Sequence, residues 1–352
     1  MNRLGEIIKK QIVHGGPIPI SNFMEACLIH PQHGYYTNTL PIGRAGDFIT
    51  APEISQMFGE LIGLFLSETW VNQKNNQIPN LVELGPGRGT LASDIMRVTK
   101  SIKSFPKKIY LLEISEKLRA IQQEVLADYE VEWINSLDDL PEGPLIIISN
   151  EFFDSLPINQ YVRGHDGWYE KLVGVKDDKL IFGLSDYMIK DIIPSKFSNR
   201  QEGSVIEIRP SSEPIIRKIS DIISIHGGVS LIIDYGSWGT TGNTLQAVTN
   251  HKFTDPLESP GTVDLTAHVD FASLVQNISS CLYTKLENQG IFLERLGITE
   301  RAIKLTSFFD NNTRTNHISA HRRLIHPDEM GTLFKVIALF PFGQNTPPGL
   351  IC

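Results

Sequence analysis

The chain is poor in cysteine and in clustered metal-binding side chains. Its three cysteines, Cys27, Cys281 and Cys352, are spread over 352 residues. This spacing indicates neither a disulfide framework nor a zinc site, and it is typical of a reducing compartment. His317 and His321 have the spacing of two ligands on one helix, but no third ligand accompanies them, and we predict no metal site.

Long apolar runs and long basic runs are both missing. No segment approaches the ~18 apolar residues of a membrane-spanning helix, and residues 1–13 resemble neither a secretory signal nor an Arg-rich transit peptide. With 32 Lys and Arg against 40 Asp and Glu, the formal net charge of -8 argues against a nucleic-acid-binding surface and suits a positively charged substrate. We expect a soluble globular chain of one elaborated domain or two intimate ones, cytoplasmic as given or already processed.

The most informative stretch is an apolar strand that runs into a glycine-rich turn. Residues 81–91 read LVELGPGRGTL, with Gly85, Gly87 and Gly89 just before a predicted helix. Glycines let main-chain N–H groups and a helix N-terminus come close to a ligand. The sixth position of the dinucleotide fingerprint is Thr90 rather than glycine. This weakens the case for NAD or FAD and favours a smaller adenosine ligand such as S-adenosylmethionine.

A second buried strand is predicted to end in a carboxylate, Glu113. In a βαβ unit such an acid faces the same crevice as the glycine turn and can accept hydrogen bonds from both ribose hydroxyls. Its spacing from Gly85 exceeds the usual ~20 residues, which a long intervening helix explains. A short strand at residues 131–134 leads into a polar exit, where we place an adenine site at Ser136 and Leu137. The alternative is a tight turn followed by a surface glutamate.

The fourth predicted strand, residues 144–150, is apolar enough to be buried on both faces. It delivers the sequence NEFFDSLP to the carboxyl end of the sheet, where open α/β folds bind their ligands. We place the chemistry there. Glu151 is the first choice for gripping an acceptor, and Asp154 or Asn150 supplies a second contact. In the alternative interpretation the two acids only cap or brace the loop.

The remaining pattern divides the chain into four segments. They are N-terminal helices with a lid loop at 1–77, a cofactor-binding Rossmann-like half at 78–157, an inserted antiparallel β region at 158–203, and a second half of the sheet at 204–352, with a long loop at 236–267 and C-terminal helices. The lid loop contains Asp47 and Glu53, which either contact the ligands or cap the following helix.

Several motifs together carry a family resemblance. They are VELGPGRGTLASD, YLLEIS, SNEFFDSLP, GDFITAPEIS and LTAHVDF, and the likeness runs from about Gly15 to Phe340. The chain resembles the MidA family of class I methyltransferases. The resemblance implies a seven-stranded, mostly parallel sheet with the last strand antiparallel, and S-adenosyl-L-methionine as the cofactor. It also implies cofactor contacts at Glu83, Gly85, Gly87 and Glu113. We further expect contacts at their neighbours Pro86, Gly89 and Ile114.

The resemblance also indicates a substrate. Mitochondrial members of the family are associated with respiratory complex I assembly and with methylation of an arginine on a complex I subunit. It therefore implies a protein-arginine methyltransferase, in the mitochondrial matrix if the chain is processed. An arginine acceptor stays charged and needs carboxylates that grip it in a fork, yet the second glutamate of the paired-acid loop of arginine methyltransferases is absent after Glu151.

Other functions remain open from the sequence. One is methylation of a small molecule or of a residue other than arginine, and another is a binding or assembly protein that keeps the fold without turnover. Outside this fold family, an NAD-dependent dehydrogenase is the runner-up.

Overall fold

The computed structural model describes residues 2–38, 49–189, 192–239, 242–249, 252–307 and 309–352. Asp47, a candidate lid residue, lies outside these ranges. The helices within them are α1 (Arg3–Gly15), α2 (Ile20–Ile29), α3 (Tyr35–Asn38), α4 (Ala51–Ile54), α5 (Gln56–Asn72), α6 (Thr90–Thr99), α7 (Glu116–Val125), α8 (Ser212–His226), α9 (Phe271–Val275), α10 (Gln289–Arg295), α11 (Ile298–Thr306) and α12 (Asn311–Ile325).

The strands are distributed over three sheets. In chain order they are β1 (Ile18–Pro19), β2 (Asn80–Leu84), β3 (Lys108–Leu112), β4 (Glu130–Ile134), β5 (Leu145–Asn150), β6 (Asn159–Arg163), β7 (Trp168–Lys176), β8 (Lys179–Ile189), β9 (Val205–Ile208), β10 (Gly228–Ser237), β11 (Gln246–Thr249), β12 (Lys252–Thr254), β13 (Asp264–Thr266), β14 (Val269–Asp270), β15 (Leu282–Tyr283), β16 (Glu287–Asn288) and β17 (Phe334–Phe340).

The central sheet has the strand order β15-β17-β10-β5-β2-β3-β4, with the short strands β14 and β16 attached at its margin. Strands β4, β3, β2, β5 and β10 run parallel, and β17 is antiparallel to β10. The predicted α/β fold, with a mostly parallel sheet and an antiparallel strand, is therefore confirmed, and β14 and β16 bring the central sheet to nine strands within the described residues. The strand order reverses between β2 and β5, and such a switch point is where open α/β sheets bind ligands at the carboxyl ends of their strands.

Alternating side chains of β5 build the two cores on either side of this sheet. Ile146 and Ile148 pack with α5 and α6, whereas Leu145 and Ile147 pack with α8. All six residues of the strand are buried, as predicted for a parallel strand covered by helices on both faces. This burial fixes the register that brings the ends of β2, β3 and β5 together.

Helices α5 and α6 approach each other at two glycines. A Cβ atom at Gly59 would lie 2.5 Å from the Cβ of Asp94, and one at Gly63 would lie 2.6 Å from Cγ1 of Val98. No larger residue fits there without a shift of a helix. Because α6 starts directly after the glycine-rich turn, this contact also sets the direction in which the turn leaves the sheet.

The inserted region forms a second sheet, of order β1-β7-β6-β9 with β8 paired to β7. The β7–β8 hairpin turns at Asp177 and Asp178, whose φ angles of 48° and 63° are left-handed, as the double aspartate predicts. Helices α1 and α2 cover this sheet. The segment predicted as a long loop at 236–267 instead contains the three-stranded sheet β12-β11-β13, whose strands are too short to stand out in a Gly- and Pro-rich passage.

Helices α2 and α9 begin in different ways. Helix α2 has Pro19 at its N-cap and no side-chain cap. Helix α9 is capped by the side chain of Asp270, which accepts a hydrogen bond from Ala272 N at 3.1 Å. Within the described ranges, no helix has both the length and the apolar character needed to span a bilayer.

Candidate functional site

The glycine-rich turn after β2 has a backbone that only glycine adopts easily. Gly85, Gly87 and Gly89 have φ angles of 63°, 55° and 81°, all left-handed. A Cβ at Gly85 would also lie 3.0 Å from Cδ2 of Phe152, whose ring packs over the turn. Gly89 is the N-cap of α6 and lines neither of the cavities described below.

Glu83 ties the last part of β2 to the first turn of α6. It is buried, and its Oε2 accepts a hydrogen bond from Ala92 N at 3.1 Å. Burial raises the pKa of this carboxyl to about 8, and the negative field of Glu113 adds to the effect. The acid therefore braces both sides of the glycine turn.

Glu113 follows β3 and is held by donors on both of its oxygens. Oε1 accepts from Ser115 N at 2.7 Å, and Oε2 accepts from Nε2 of Gln122 at 3.2 Å. Burial raises the pKa of Glu113, and these hydrogen bonds oppose the rise. Sequence reasoning missed Gln122. The available signal was its place four residues after Leu118, which makes it a polar residue on the buried face of α7.

Two adjoining cavities surround the turn. The larger, of about 300 Å³, extends from Glu113 to the N-terminal helices α2 and α3. The smaller, of about 50 Å³, has Glu53, Glu83 and Asn150 in its wall, together with Arg88. Both cavities share the lining residues Gly85, Gly87 and Glu151. The switch point of the sheet is thus hollow on the side where a ligand was expected.

The far end of the larger cavity is lined by Ile114, Leu118 and Asn135. Ile114 is 49% exposed and offers an apolar face. Ser136 and Leu137, which we expected at the adenine end, do not line the cavity. Ser136 forms a capping box at the start of the following helical turn, and Leu137 is buried in the core beneath the sheet.

Glu151 stands at the junction of the two cavities in a strained conformation. Its φ of 55° places a non-glycine residue in the left-handed region, which costs on the order of 1–3 kcal/mol. Its backbone N–H donates to Ile233 O at 3.0 Å, so the neighbouring strand holds it there. Its Oε1 accepts from Nδ2 of Asn150 at 3.1 Å and from Ala51 N at 3.4 Å.

The Glu151 carboxyl is partly buried and has no ion-pair partner among the described residues. Desolvation and, to a lesser extent, the field of Asp154 raise its pKa to about 8, against the hydrogen bonds from Asn150 and Ala51 and the field of Arg323. A cation that binds beside such a carboxyl stabilises its ionised form and lowers its pKa.

Two residues distant in sequence hold the loop after β5. Asp234, fully buried on β10, accepts from Phe153 N at 2.9 Å and from Asp154 N at 3.3 Å through Oδ2. Arg209 donates to the carbonyls of Leu156 and Ala267, at 3.1 and 2.9 Å. The position of Glu151 is therefore defined by its loop as well as by its strand.

Two oxygens beside Glu151 lack a hydrogen-bond partner within the part of the chain that the structure describes. They are Oδ1 of Asn150 and Oδ1 of Asp154, both buried. Burial raises the pKa of Asp154 to about 6, against hydrogen bonding from Tyr235. Asn150 lines the smaller cavity, whereas Asp154 lines neither. A buried acceptor without a donor is costly, so Oδ1 of Asn150 favours a ligand with hydrogen-bond donors.

The described part of the lid passage contacts both halves of the site. Ala51 N reaches Glu151, and the carboxylate of Glu53 accepts a hydrogen bond from the hydroxyl of Thr90 at the start of α6. Glu53 therefore does not cap α4, whose N-cap is Thr50.

Residues 61–286 match the Methyltransf_28 family of S-adenosyl-L-methionine-dependent methyltransferases. Over 363 residues the chain is 35% identical to "Protein arginine methyltransferase NDUFAF7, mitochondrial" of Xenopus laevis, covering 94% of this chain and 82% of that one. The Homo sapiens protein of the same name is 33% identical and is covered to 80%, over 93% of this chain. A Burkholderia thailandensis crystal structure bound to S-adenosyl-homocysteine has a TM-score of 0.85 at 25% identity, over 98% of this chain and 93% of that one.

Proposed function

Because the chain belongs to the Methyltransf_28 family of S-adenosyl-L-methionine-dependent methyltransferases, we propose that it methylates an arginine side chain of a protein. The residues around the larger cavity fit the cofactor: a side-chain-free turn at Gly85 and Gly87, a doubly held acid at Glu113, and the apolar surface of Ile114. When bound, S-adenosyl-L-methionine supplies a methyl group on a sulfonium, ready for in-line displacement.

One observation supports a guanidinium as the acceptor. The wall beyond the turn offers two acceptor oxygens that no donor among the described residues holds: Oε2 of Glu151, whose Oε1 already accepts from Asn150 and Ala51, and the buried Oδ1 of Asn150. A guanidinium has the opposite character, because it carries five N–H donors, no acceptor, and a charge at any physiological pH. The names of the curated relatives agree with this chemistry.

The chain's own residues then have distinct roles. Glu151 grips the guanidinium and orients one nitrogen toward the glycine turn, and Asn150 supplies the second contact. Asp154, which lines neither cavity, acts on the acceptor only through its negative field. Arrival of the cation favours the ionised form of Glu151, whose pKa in the free protein is raised to about 8. The nitrogen that gains a methyl group loses a proton, and the Glu151 carboxylate is the base placed to receive it. Phe152 covers the turn and limits water.

The partner follows from the family resemblance rather than from the site. We propose a subunit of respiratory complex I as the substrate protein. The curated relatives are named mitochondrial, so the proposed location is the mitochondrial matrix or its bacterial equivalent, the cytoplasm.

The test is methyl transfer from labelled S-adenosyl-L-methionine to purified complex I subunits, read by mass spectrometry of the modified residue. We expect methylarginine with the wild-type chain and with Asp186→Asn, an exposed acid on the inserted sheet, and none with Glu151→Gln. Methylation only of another residue type or of a small molecule would contradict the arginine assignment. Binding of S-adenosyl-homocysteine without transfer to any acceptor would indicate an assembly protein without turnover.

A further inference from the structure

Gln122 connects three parts of the cofactor site through one side-chain amide. It is fully buried on α7. Its Nε2 donates to Gly87 O at 2.7 Å and to Oε2 of Glu113 at 3.2 Å, while its Oε1 accepts from Nε1 of Trp133 at 2.8 Å. The amide thus joins the glycine turn, the acid after β3 and the strand β4.

We propose that Gln122 is a positioning residue that sets the place of Glu113 relative to the glycine turn and so determines affinity for the ribose of the cofactor. This inference concerns the cofactor alone, and it stands whether or not the methyl acceptor is arginine.

The orientation of the amide follows from its neighbours. An indole N–H only donates, so the oxygen of Gln122 must face Trp133. Its NH₂ group then faces Gly87 O and Glu113, both of which accept. Trp133 therefore settles which way the amide points, a choice that is otherwise ambiguous for a glutamine.

Among side chains of this length, only glutamine can make all three hydrogen bonds. Glutamate would offer no donor to Gly87 O and would set a second acid against Glu113. Lysine would leave the indole of Trp133 without an acceptor. The glycine turn runs directly beside this side chain, because a Cβ at Gly89 would lie 3.4 Å from Cγ of Gln122.

These hydrogen bonds fix the orientation of the Glu113 carboxylate. A carboxylate has about four lone-pair sites, and two are occupied by Ser115 N and Gln122. The remaining sites match the two hydroxyls of a ribose in the cavity that Glu113 lines. Without Gln122, Oε2 of Glu113 would be free to turn away from that cavity.

The test compares two ligands on the ligand-free protein by calorimetry. They are S-adenosyl-homocysteine and its analogue without the 2′ and 3′ hydroxyls. For Gln122→Met, which keeps the length but not the hydrogen bonds, we expect affinity for S-adenosyl-homocysteine to fall about 10–100-fold, since hydrogen bonds to a charged group are lost. Affinity for the hydroxyl-free analogue should change by less than about threefold. Gln123→Met, at the exposed neighbour on the same helix, is the matched control and should change neither.

A second variant separates positioning from folding. Gln122→Met leaves the indole N–H of Trp133 unpartnered, which can by itself destabilise the chain. In Gln122→Met combined with Trp133→Phe that donor is gone, so thermal stability should recover while the ribose-dependent loss persists. Equal losses for both ligands in the double variant, or no loss for S-adenosyl-homocysteine, would overturn the proposal.

Discussion

Two of the acids that line the larger cavity, Glu113 and Glu151, are held in opposite ways. Glu113 accepts a protein donor on each oxygen and is buried. Within the described residues, Glu151 is held through one oxygen only, on a left-handed backbone, beside two unpartnered acceptors. Both acids follow parallel strands of the same sheet, so the difference does not come from the fold.

The contrast distinguishes a site completed within the protein from one that a ligand completes. The proposed cofactor side is preorganised by hydrogen bonds within the protein, so little ordering should be needed when a cofactor binds there. The proposed acceptor side has backbone strain, a raised pKa of about 8 at Glu151 and buried acceptor atoms without donors, all of which a bound cation should relieve. The following experiments test this division.

The largest effect is expected for Glu151→Gln, which keeps shape and removes the charge. Loss of the guanidinium grip and of the proton acceptor should lower kcat/KM about 10²–10⁴-fold. Affinity for S-adenosyl-homocysteine, measured by calorimetry, should stay within about threefold, because Glu113 and its partners are untouched. A large loss of cofactor affinity would remove the distinction between the two sides.

The complementary experiment makes the same change at the other acid, Glu113→Gln. We expect cofactor affinity to fall about 10–100-fold through loss of charge-assisted hydrogen bonds to ribose. At saturating cofactor, kcat should remain within about threefold of wild type, because the acceptor side is intact. A fall in kcat as large as that of Glu151→Gln would show that the two acids act as one unit.

The pH dependence of kcat/KM should also distinguish the role of Glu151 from that of Glu113. Below its raised pKa of about 8, Glu151 is mostly neutral in the free protein, so kcat/KM for a cationic acceptor should rise up to about tenfold per pH unit and level off above 8. Glu151→Gln should flatten this profile. A flat profile in the wild-type protein would contradict the role of the Glu151 charge.

The same group affects stability with a definite sign. Its pKa in the folded state lies above the ordinary value of 4.5, so the folded chain binds the proton more tightly than the unfolded one. This contribution is fully present below 4.5 and is lost as pH rises to about 8. The melting temperature of Glu151→Gln should therefore fall less over this window than that of the wild type. The pH dependence of the melting temperature that remains in this variant comes in part from Glu83, whose pKa is raised to the same value.

The smallest effect distinguishes two neighbours at the adenine end. Ser136→Ala should cost about 1 kcal/mol of stability through loss of its capping bond, and cofactor affinity should not change. Asn135→Ala, at a residue that lines the cavity, should lower cofactor affinity a few-fold at most. Chemical denaturation and calorimetry measure the two quantities, and the reverse pattern would place the adenine site where the sequence first indicated.

The sequence was sufficient for the parts of the site that are local in the chain. The glycine turn and Glu113 sit directly after strands that apolar runs predict, and Glu151 follows the most apolar of them. Asp234 and Arg209 could not be assigned roles, because they hold a loop that lies more than 50 residues away along the chain. Such partners depend on strand register, which no spacing in one sequence reveals.

The same reason explains why two of the residues predicted at the adenine end line no part of the cavity. Ser136 and Leu137 directly follow β4, where the sequence indicated an adenine site. In the short helical turn there, Ser136 is the N-cap and the side chain of Leu137 packs in the core. Gln122 carried a signal, its apolar-face position on α7, but its partners Gly87 and Trp133 become visible only once the sheet is assembled.

The close packing of α5 against α6 at Gly59 and Gly63 joins the two sides mechanically. Only Ser55 separates α5 from α4, whose first residue, Ala51, donates to Glu151, while α6 begins at the glycine turn. These three helices pack on one another, with an end in each half of the site. A larger side chain at Gly59, which lines neither cavity, would push α5 away from α6, so that a single substitution would displace the Ala51 amide and the glycine turn together.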